Sequence, residues 1–273
     1  MKITRIRIYK PDLPYVGGAY VWGAGNVIKI AKASVVVIDT DPGLQGCGEF
    51  TPCGETYMIA HSEGVEAFAR LAASNLLGED PRQVAWIEQI LDQTVQGRGY
   101  AKAPFDAACW DILGQACGQP VWMLLGGKLT DGAPMYRVAP QPMKLDDCVT
   151  VISVAQRIVA DHGAEICCLK NSNLGGLSKA RRVRDLLVEA RIPVVAEDTW
   201  GGEIASTAVA HFAASTPPDF LQNTTDLMNH NTRSTRVGGA CAKAGQLYAP
   251  DAPGLGVTAD FDSLGAPVAE YAA

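Results

Sequence analysis

The sequence predicts an α/β protein in which an N-terminal α+β module precedes an incomplete (β/α) barrel of the TIM type. Three observations carry this prediction. Short apolar runs at 166–169, 192–196 and 220–222 each end in a cluster of polar side chains, the layout of parallel strands that are buried on both faces and present functional groups at one end. From Met135 onward strands alternate with helical patterns, whereas residues 1–131 place strands first and helices after. Only about five strands can be counted after Met135, and a closed barrel takes eight.

Taken in order, Lys2–Tyr9 alternates Ile3, Ile6 and Ile8 with basic residues and predicts a half-exposed strand. Residues 12–25 carry four glycines around Tyr20 and Trp22 and read as a mobile loop. Val27–Thr40 is rich in Val and Ile and stops at Asp41-Pro42-Gly43, a hairpin turn signal, and 46–58 form a second glycine-rich loop. Ser62 is placed to cap one helix, Asp80-Pro81 to open another, and Ala101–Ala116 is the strongest helix of this half. After Met135–Ala139, a strand, come helices at Val149–Asp161, Leu177–Ala190 and Glu203–Ser215, the second with Lys179, Arg181, Arg182 and Arg184 expected on its outer side. One junction breaks the grammar. Met135–Ala139 and the strand-like Met143–Leu145 are separated only by residues 140–142, two of them proline, whereas parallel strands need a crossover of a dozen or so residues. The expected division is 1–131, 132–250, and a C-terminal segment 251–273 that packs back on the first module.

Composition narrows the function class. A net charge of −6 argues against nucleic acid or an anionic membrane as partner. No apolar run approaches the roughly 20 residues of a membrane span, and the N-terminus lacks a signal-peptide core, so a cytoplasmic address is expected by default. The eight cysteines show no zinc spacing and fall largely in apolar contexts, so reduced thiols are expected.

The polar clusters are where chemistry is expected. Lys170 ends an apolar strand, and because a buried ammonium is costly it should point into a cleft or at a charge partner. Asp146 and Asp147 end another strand; an acidic pair there could equally cap the helix that follows. Asp198, Thr199 and Trp200 follow a third, where the indole could face a substrate ammonium or simply pack under the turn. Asn223, Thr225 and Asp226 could hold a ligand or cap a turn. Trp22 and Tyr57 on the two glycine-rich loops are specificity candidates. The pairs Gly175-Gly176 and Gly201-Gly202 lack nucleotide-loop spacing and read as strand-to-helix turns. None of the four histidines is assigned chemistry.

These stretches resemble the enolase superfamily in its mandelate racemase and muconate-lactonizing branch. Residues 1–131 resemble its capping domain, and APFDAACWDILGQACGQPVWMLLGG (103–127) its lead-in helices. Residues 136–140 resemble barrel strand one and PMKLDDCVT (142–150) strand five. EICCLKNSNLGG (165–176), VVAEDTWGGEIAS (194–206) and FLQNTTDL (220–227) resemble strands six, seven and eight. The last motifs are similar to those of hydroxyproline-betaine epimerases and cis-3-hydroxyproline dehydratases. The resemblance implies Lys170 as the base that removes the proton α to a carboxylate. It implies Asp146, with Asp147 beside it, as the remainder of a magnesium site. It also implies a small amino acid or betaine substrate. Strands two to four, which in this family supply the opposite-face lysine and two further magnesium carboxylates, have no counterpart between Gln141 and Pro142. Magnesium binding is therefore expected to be weak or absent unless those ligands are replaced. A catalytically silent remnant is the alternative, and the open sheet edges predict a homo-oligomer.

Overall fold

The alternation of Ile3, Ile6 and Ile8 builds the first strand, β1 (Ile3–Tyr9), which buries those three side chains completely. The computed structural model of the protein describes residues 1–54, 56–136 and 144–273. The glycine-rich stretch after β1, expected as one loop, forms short strands instead: β2 (Asp12–Pro14), β3 (Tyr20–Trp22), β4 (Asn26–Ile28) and β5 (Ile30–Lys32), paired β2 with β5 and β3 with β4. Glycines at positive φ turn the chain between them. Two longer strands, β6 (Ser34–Thr40) and β7 (Gln45–Phe50), then pair across the expected turn, but β7 takes up the start of the stretch expected as a second glycine-rich loop, because its glycines let the strand lie close against a helix. The turn is closed by Gly43, whose N–H donates to the Thr40 carbonyl at 3.0 Å with φ +87°.

Helices α1 (Glu63–Leu76), α2 (Val84–Thr94), α3 (Gly99–Cys117) and the short α4 (Val121–Leu124) follow. Ser62 precedes α1, but its hydroxyl makes no cap, and α2 starts three residues after Pro81. The apolar stripe of α1 covers β1 and β6, and α2 packs beside it on the same core. Helix α3 is buried nearly all round because it lies between that sheet and the second half of the molecule. It reaches β7 closely only because glycines face it: a Cβ on Gly48 would sit 2.0 Å from the Pro104 carbonyl oxygen.

The second half runs β8 (Ala133–Pro134), β9 (Lys144–Leu145), α5 (Ile152–Asp161), β10 (Ile166–Lys170), α6 (Asn171–Leu174), α7 (Leu177–Glu189), β11 (Val194–Glu197), α8 (Glu203–Ala214) and β12 (Leu221–Thr224). Strands β9, β10, β11 and β12 form one parallel sheet in that order. Met135 adds a parallel bridge to Thr224, and the Tyr136 N–H donates to the Thr224 carbonyl at 2.8 Å. The first barrel strand therefore lies beside the last, as ring closure requires, and β9 ends the array on the other side among the described residues. The rest of the strand expected from Met135, the prolines at 140 and 142, Met143 and the expected splice lie outside the described residues. The fold is thus the α/β architecture expected, a capping module on an incomplete β/α barrel. The tail returns to both halves: β13 (Arg236–Gly238), β14 (Cys241–Lys243), β15 (Gln246–Tyr248) and β16 (Val257–Ala259) form small antiparallel pairs, and β17 (Ala269–Ala272) pairs antiparallel with β1.

One side chain is placed differently from the sequence reading. Arg184 does not lie on the outer side of α7. It shares a helical stripe with Ala180, Val183 and Leu187, is buried, and its guanidinium donates to the Ser215 carbonyl and hydroxyl and to the Leu125 carbonyl. Those three acceptors and the Asp185 carboxylate, whose Oδ1 accepts from the same guanidinium at 2.7 and 2.9 Å, make that burial tolerable. All eight cysteines are free thiols.

Candidate active site

Because the four strands are parallel, their C-terminal ends meet on one side, and the residues that follow each strand line a cleft of about 370 Å³. Register brings Lys170, the last residue of β10, directly beside Glu197, the last of β11. Asp146 and Asp147 follow β9. The Lys170 Nζ lies 2.6 Å from Asp147 Oδ1, 3.2 Å from Asp146 Oδ1 and 3.6 Å from Glu197 Oε1. Lys170 is 3% exposed, so the partner that the sequence demanded exists threefold. The face of Tyr57 completes the surround, its ring centroid 5.4 Å from the ammonium.

The charges decide the resting state of this group. Burial alone would depress the Lys170 pKa, but Glu197, Asp147 and Asp146 outweigh it and hold the ammonium above the ordinary lysine range. Asp146 responds in the opposite sense: burial pushes its carboxyl up, and Lys170 with Lys144 more than offsets this, leaving it below the usual range. Glu197, more deeply buried, stays raised by desolvation despite Lys170. The Cys168 thiol, one inward step along β10, donates to Glu197 Oε1 at 2.6 Å.

Asp198, Thr199 and Trp200 line the cleft, as do Thr225, Asp226 and Tyr57. Asp198 is tied inward: its Oδ1 accepts from the backbone N–H of Ser172 at 3.2 Å and of Thr199 at 2.8 Å, and from the Ser172 hydroxyl. Burial raises its pKa to about 6. Trp200 packs against Tyr20 with ring centroids 4.7 Å apart. Trp22 stands behind this wall, stacked on Tyr20 at 6.0 Å and edge-on to Tyr57 at 6.4 Å, and it does not line the cleft. Asn223 is buried and does not line it either. Sequence reasoning missed Tyr20, Tyr136, Lys144, Glu197 and His230, all of which line the cleft. Glu197 had a signal, a carboxylate ending an apolar strand. His230 had none, since only the short helical turn at 227–230 brings its ring to 5.3 Å from Trp200.

The acidic group invites a metal, and its donors can be tested. Asp146, Cys168 and Glu197 each offer a ligand atom, all within 4.8 Å of one another. Magnesium takes a near-octahedral shell of oxygens and does not select thiols. The two carboxylates that remain are the ones already shared with the Lys170 ammonium. As arranged, these carboxylates already share one cation, the Lys170 ammonium, so a magnesium ion held by Asp146 and Glu197 would compete with it for their oxygens.

Comparison with known proteins accounts for both the architecture and its gap. Residues 24–126 match the mandelate racemase / muconate lactonizing enzyme N-terminal domain, and residues 119–263 match the family described as enolase C-terminal domain-like. The cis-3-hydroxy-L-proline dehydratase of Roseibium aggregatum is 30% identical over 366 aligned positions, covering 99% of this chain and 100% of that enzyme. With 273 residues here, at least 93 of those positions face no residue of this chain. A mandelate racemase/muconate lactonizing enzyme structure from Roseovarius nubinhibens ISM is 58% identical with a TM-score of 0.96, covering 100% of this chain and 99% of that one. A second structure from that organism, complexed with magnesium, is 26% identical with a TM-score of 0.93, covering 99% and 100%. With its two halves matched in turn and a dehydratase aligned from end to end, the chain belongs to the mandelate racemase / muconate lactonizing enzyme family of the enolase superfamily.

Proposed function

We propose that the cleft serves a dehydratase or epimerase reaction on a small, proline-like amino acid or betaine carboxylate, with Lys170 exchanging the proton on the carbon next to the carboxylate. The observation that carries this is the placement of Lys170: buried, at the end of β10, with its amine in a cleft lined by aromatic faces and acids. Full-length likeness to a cis-3-hydroxy-L-proline dehydratase supports the same chemistry. Removing the α-proton leaves its electron pair on the carbon and its carboxylate. Expelling a neighbouring hydroxyl with that pair, as hydroxide that takes up the proton held on Lys170 and leaves as water, gives dehydration, and protonation of the carbon by solvent on the other face gives epimerisation. The faces of Tyr20, Tyr57 and Trp200, with Asp146, Glu197 and Asp226, favour a positively charged substrate nitrogen. A cation arriving among those acids would draw them from Lys170 and lower its pKa toward that of a usable base. In this reading residues 1–131 cover the site, 132–250 carry it, and 251–273 tie the two together.

The test is deuterium uptake at the α-carbon of cis-3-hydroxy-L-proline and of proline betaine. Slow exchange is expected in the wild type, with a loss of about 10²-fold or more in Lys170→Ala. A second reading, a catalytically silent binding module, is favoured by the three acids around the ammonium and by the positions without counterpart, to which the family resemblance assigns the opposite-face lysine. Ligand binding without any exchange would decide for it. We further propose that the open ends of the parallel sheet drive self-association. Solution scattering should give a mass above the monomer, and a monodisperse monomer would refute this.

A further inference from the structure

We propose that Glu49 and Asp106, two buried carboxylates of the capping module, are positioning residues that hold the two turns from which Lys170 and Trp200 are presented. The turn after β10 runs through Gly175-Gly176 into α7, and there Asp106, on α3, accepts from the Ser178 N–H at 3.1 Å and from the Ser178 hydroxyl. The turn after β11 runs through Gly201-Gly202 into α8, and there Glu49, on β7, accepts from the N–H groups of Gly202, Ile204 at 3.1 Å and Ala205 at 3.2 Å. Thr51 donates its hydroxyl to the same carboxylate at 2.8 Å.

The second glycine of each pair is where the carboxylate enters. A Cβ on Gly176 would lie 2.3 Å from Asp106 Oδ2, and one on Gly202 would lie 2.7 Å from Glu49 Oε1. Each acid sits where free N–H groups and the positive end of a helix favour negative charge. An ordinary cap comes from the residue just before its helix. These come from another module, 72 and 153 residues away. The capping module therefore grips the catalytic-face turns from behind as well as covering the cleft. Asp198 links the two turns to each other through Ser172, so a shift at one is passed to the other.

This inference rests on the cleft being the ligand site and not on its chemistry. The test uses the full chain labelled with 5-fluorotryptophan, the Trp200 resonance being assigned with Trp200→Phe. Glu49→Gln keeps the side-chain volume but turns an amide N–H toward the three backbone donors. It should move the Trp200 fluorine resonance while the other four stay in place, and weaken proline betaine binding about tenfold or more. Gly202→Ala attacks the same contact from the other side and should give the same shift. The double variant should be no worse than the worse single, since one contact is lost in both. An unmoved Trp200 resonance in both single variants, or all five resonances changing together, overturns the proposal. If the wild type binds no betaine, the functional reading above fails while the fluorine shifts still decide this one.

Discussion

Two groups of buried carboxylates, one in the cleft and one behind it, meet the cost of burial in different ways. In the cleft, Asp146, Asp147 and Glu197 share a single ammonium. Behind it, Glu49, Asp106 and Asp111 have neutral partners, mostly backbone N–H groups, and Asp111 accepts from Leu255 at 2.8 Å and from Cys47 at 3.1 Å. The consequence shows in their acidity. The ammonium holds the half-exposed Asp146 below the usual range, although burial still keeps Glu197 raised, whereas behind the cleft, with no cation, burial drives Asp106 up to about 7 and Asp111 to about 6 even with their hydrogen bonds made. A carboxylate paired with a charge is part of an exchangeable site. One paired with backbone dipoles is a fixed joint, and only a change of protonation loosens it.

The strongest way to break this contrast is to remove the shared cation. Lys170→Met leaves three acids facing one another and should lower stability by about 3 kcal/mol, measured by urea denaturation. The low end of the expected range applies because Asp146 and Asp147 reach water, with side chains 42% and 34% exposed. An unchanged midpoint would mean that the ammonium is not what makes the acids tolerable.

The next effect concerns the joints. Asp106 has a folded pKa above its unfolded one, so its contribution to stability is fully present below about pH 4 and is lost as pH rises through about 7. Asp111 acts in the same sense through about 6. His211 opposes them: burial depresses its imidazole to about 4, so its contribution is lost as pH falls below about 6.5. Replacing Asp106 by Asn isolates one joint. Wild-type stability should fall relative to the variant between pH 4 and pH 7, by at most about 1.4 kcal/mol per pH unit. Parallel stability curves for the two proteins would show that Asp106 does not titrate there.

The smallest effect is on metal binding, and it sharpens the comparison most. Titration calorimetry should find no stoichiometric magnesium site in the wild type up to millimolar concentrations. In Lys170→Met the freed carboxylates should take up a divalent ion, and the joints, lacking a cation to displace, should not. Tight magnesium binding by the wild type would overturn the one-cation account of the cleft.

Much of the fold was legible because it follows from neighbours along the chain. Helix α3, the turn that ends β6 and the apolar strands β10 and β11 follow from local composition and turn residues, whereas β7 was hidden by its glycines. Lys170 was legible as a group needing a partner, but the partners were not. The acids behind the cleft left one faint mark, since Asp106 and Asp111 interrupt the apolar residues of helix α3. Arg184 was misplaced through reading its charge before its position on the stripe with Ala180 and Leu187. His230 and Tyr136 gave no signal, because no pattern of neighbouring residues says that a short turn or a strand end will face a cleft.

By itself, the sequence determined which segments are strands and helices, which strands end in polar groups, and that the barrel is short of strands, since each of these depends on residues a few positions apart. Tertiary structure alone decided which charge meets which. Lys170 finds two acids just past the end of one neighbouring strand and a third at the end of the other, and Glu49 finds its donors 153 residues away. Electrostatic partnership depends on distance through space, and only the folded chain sets that distance.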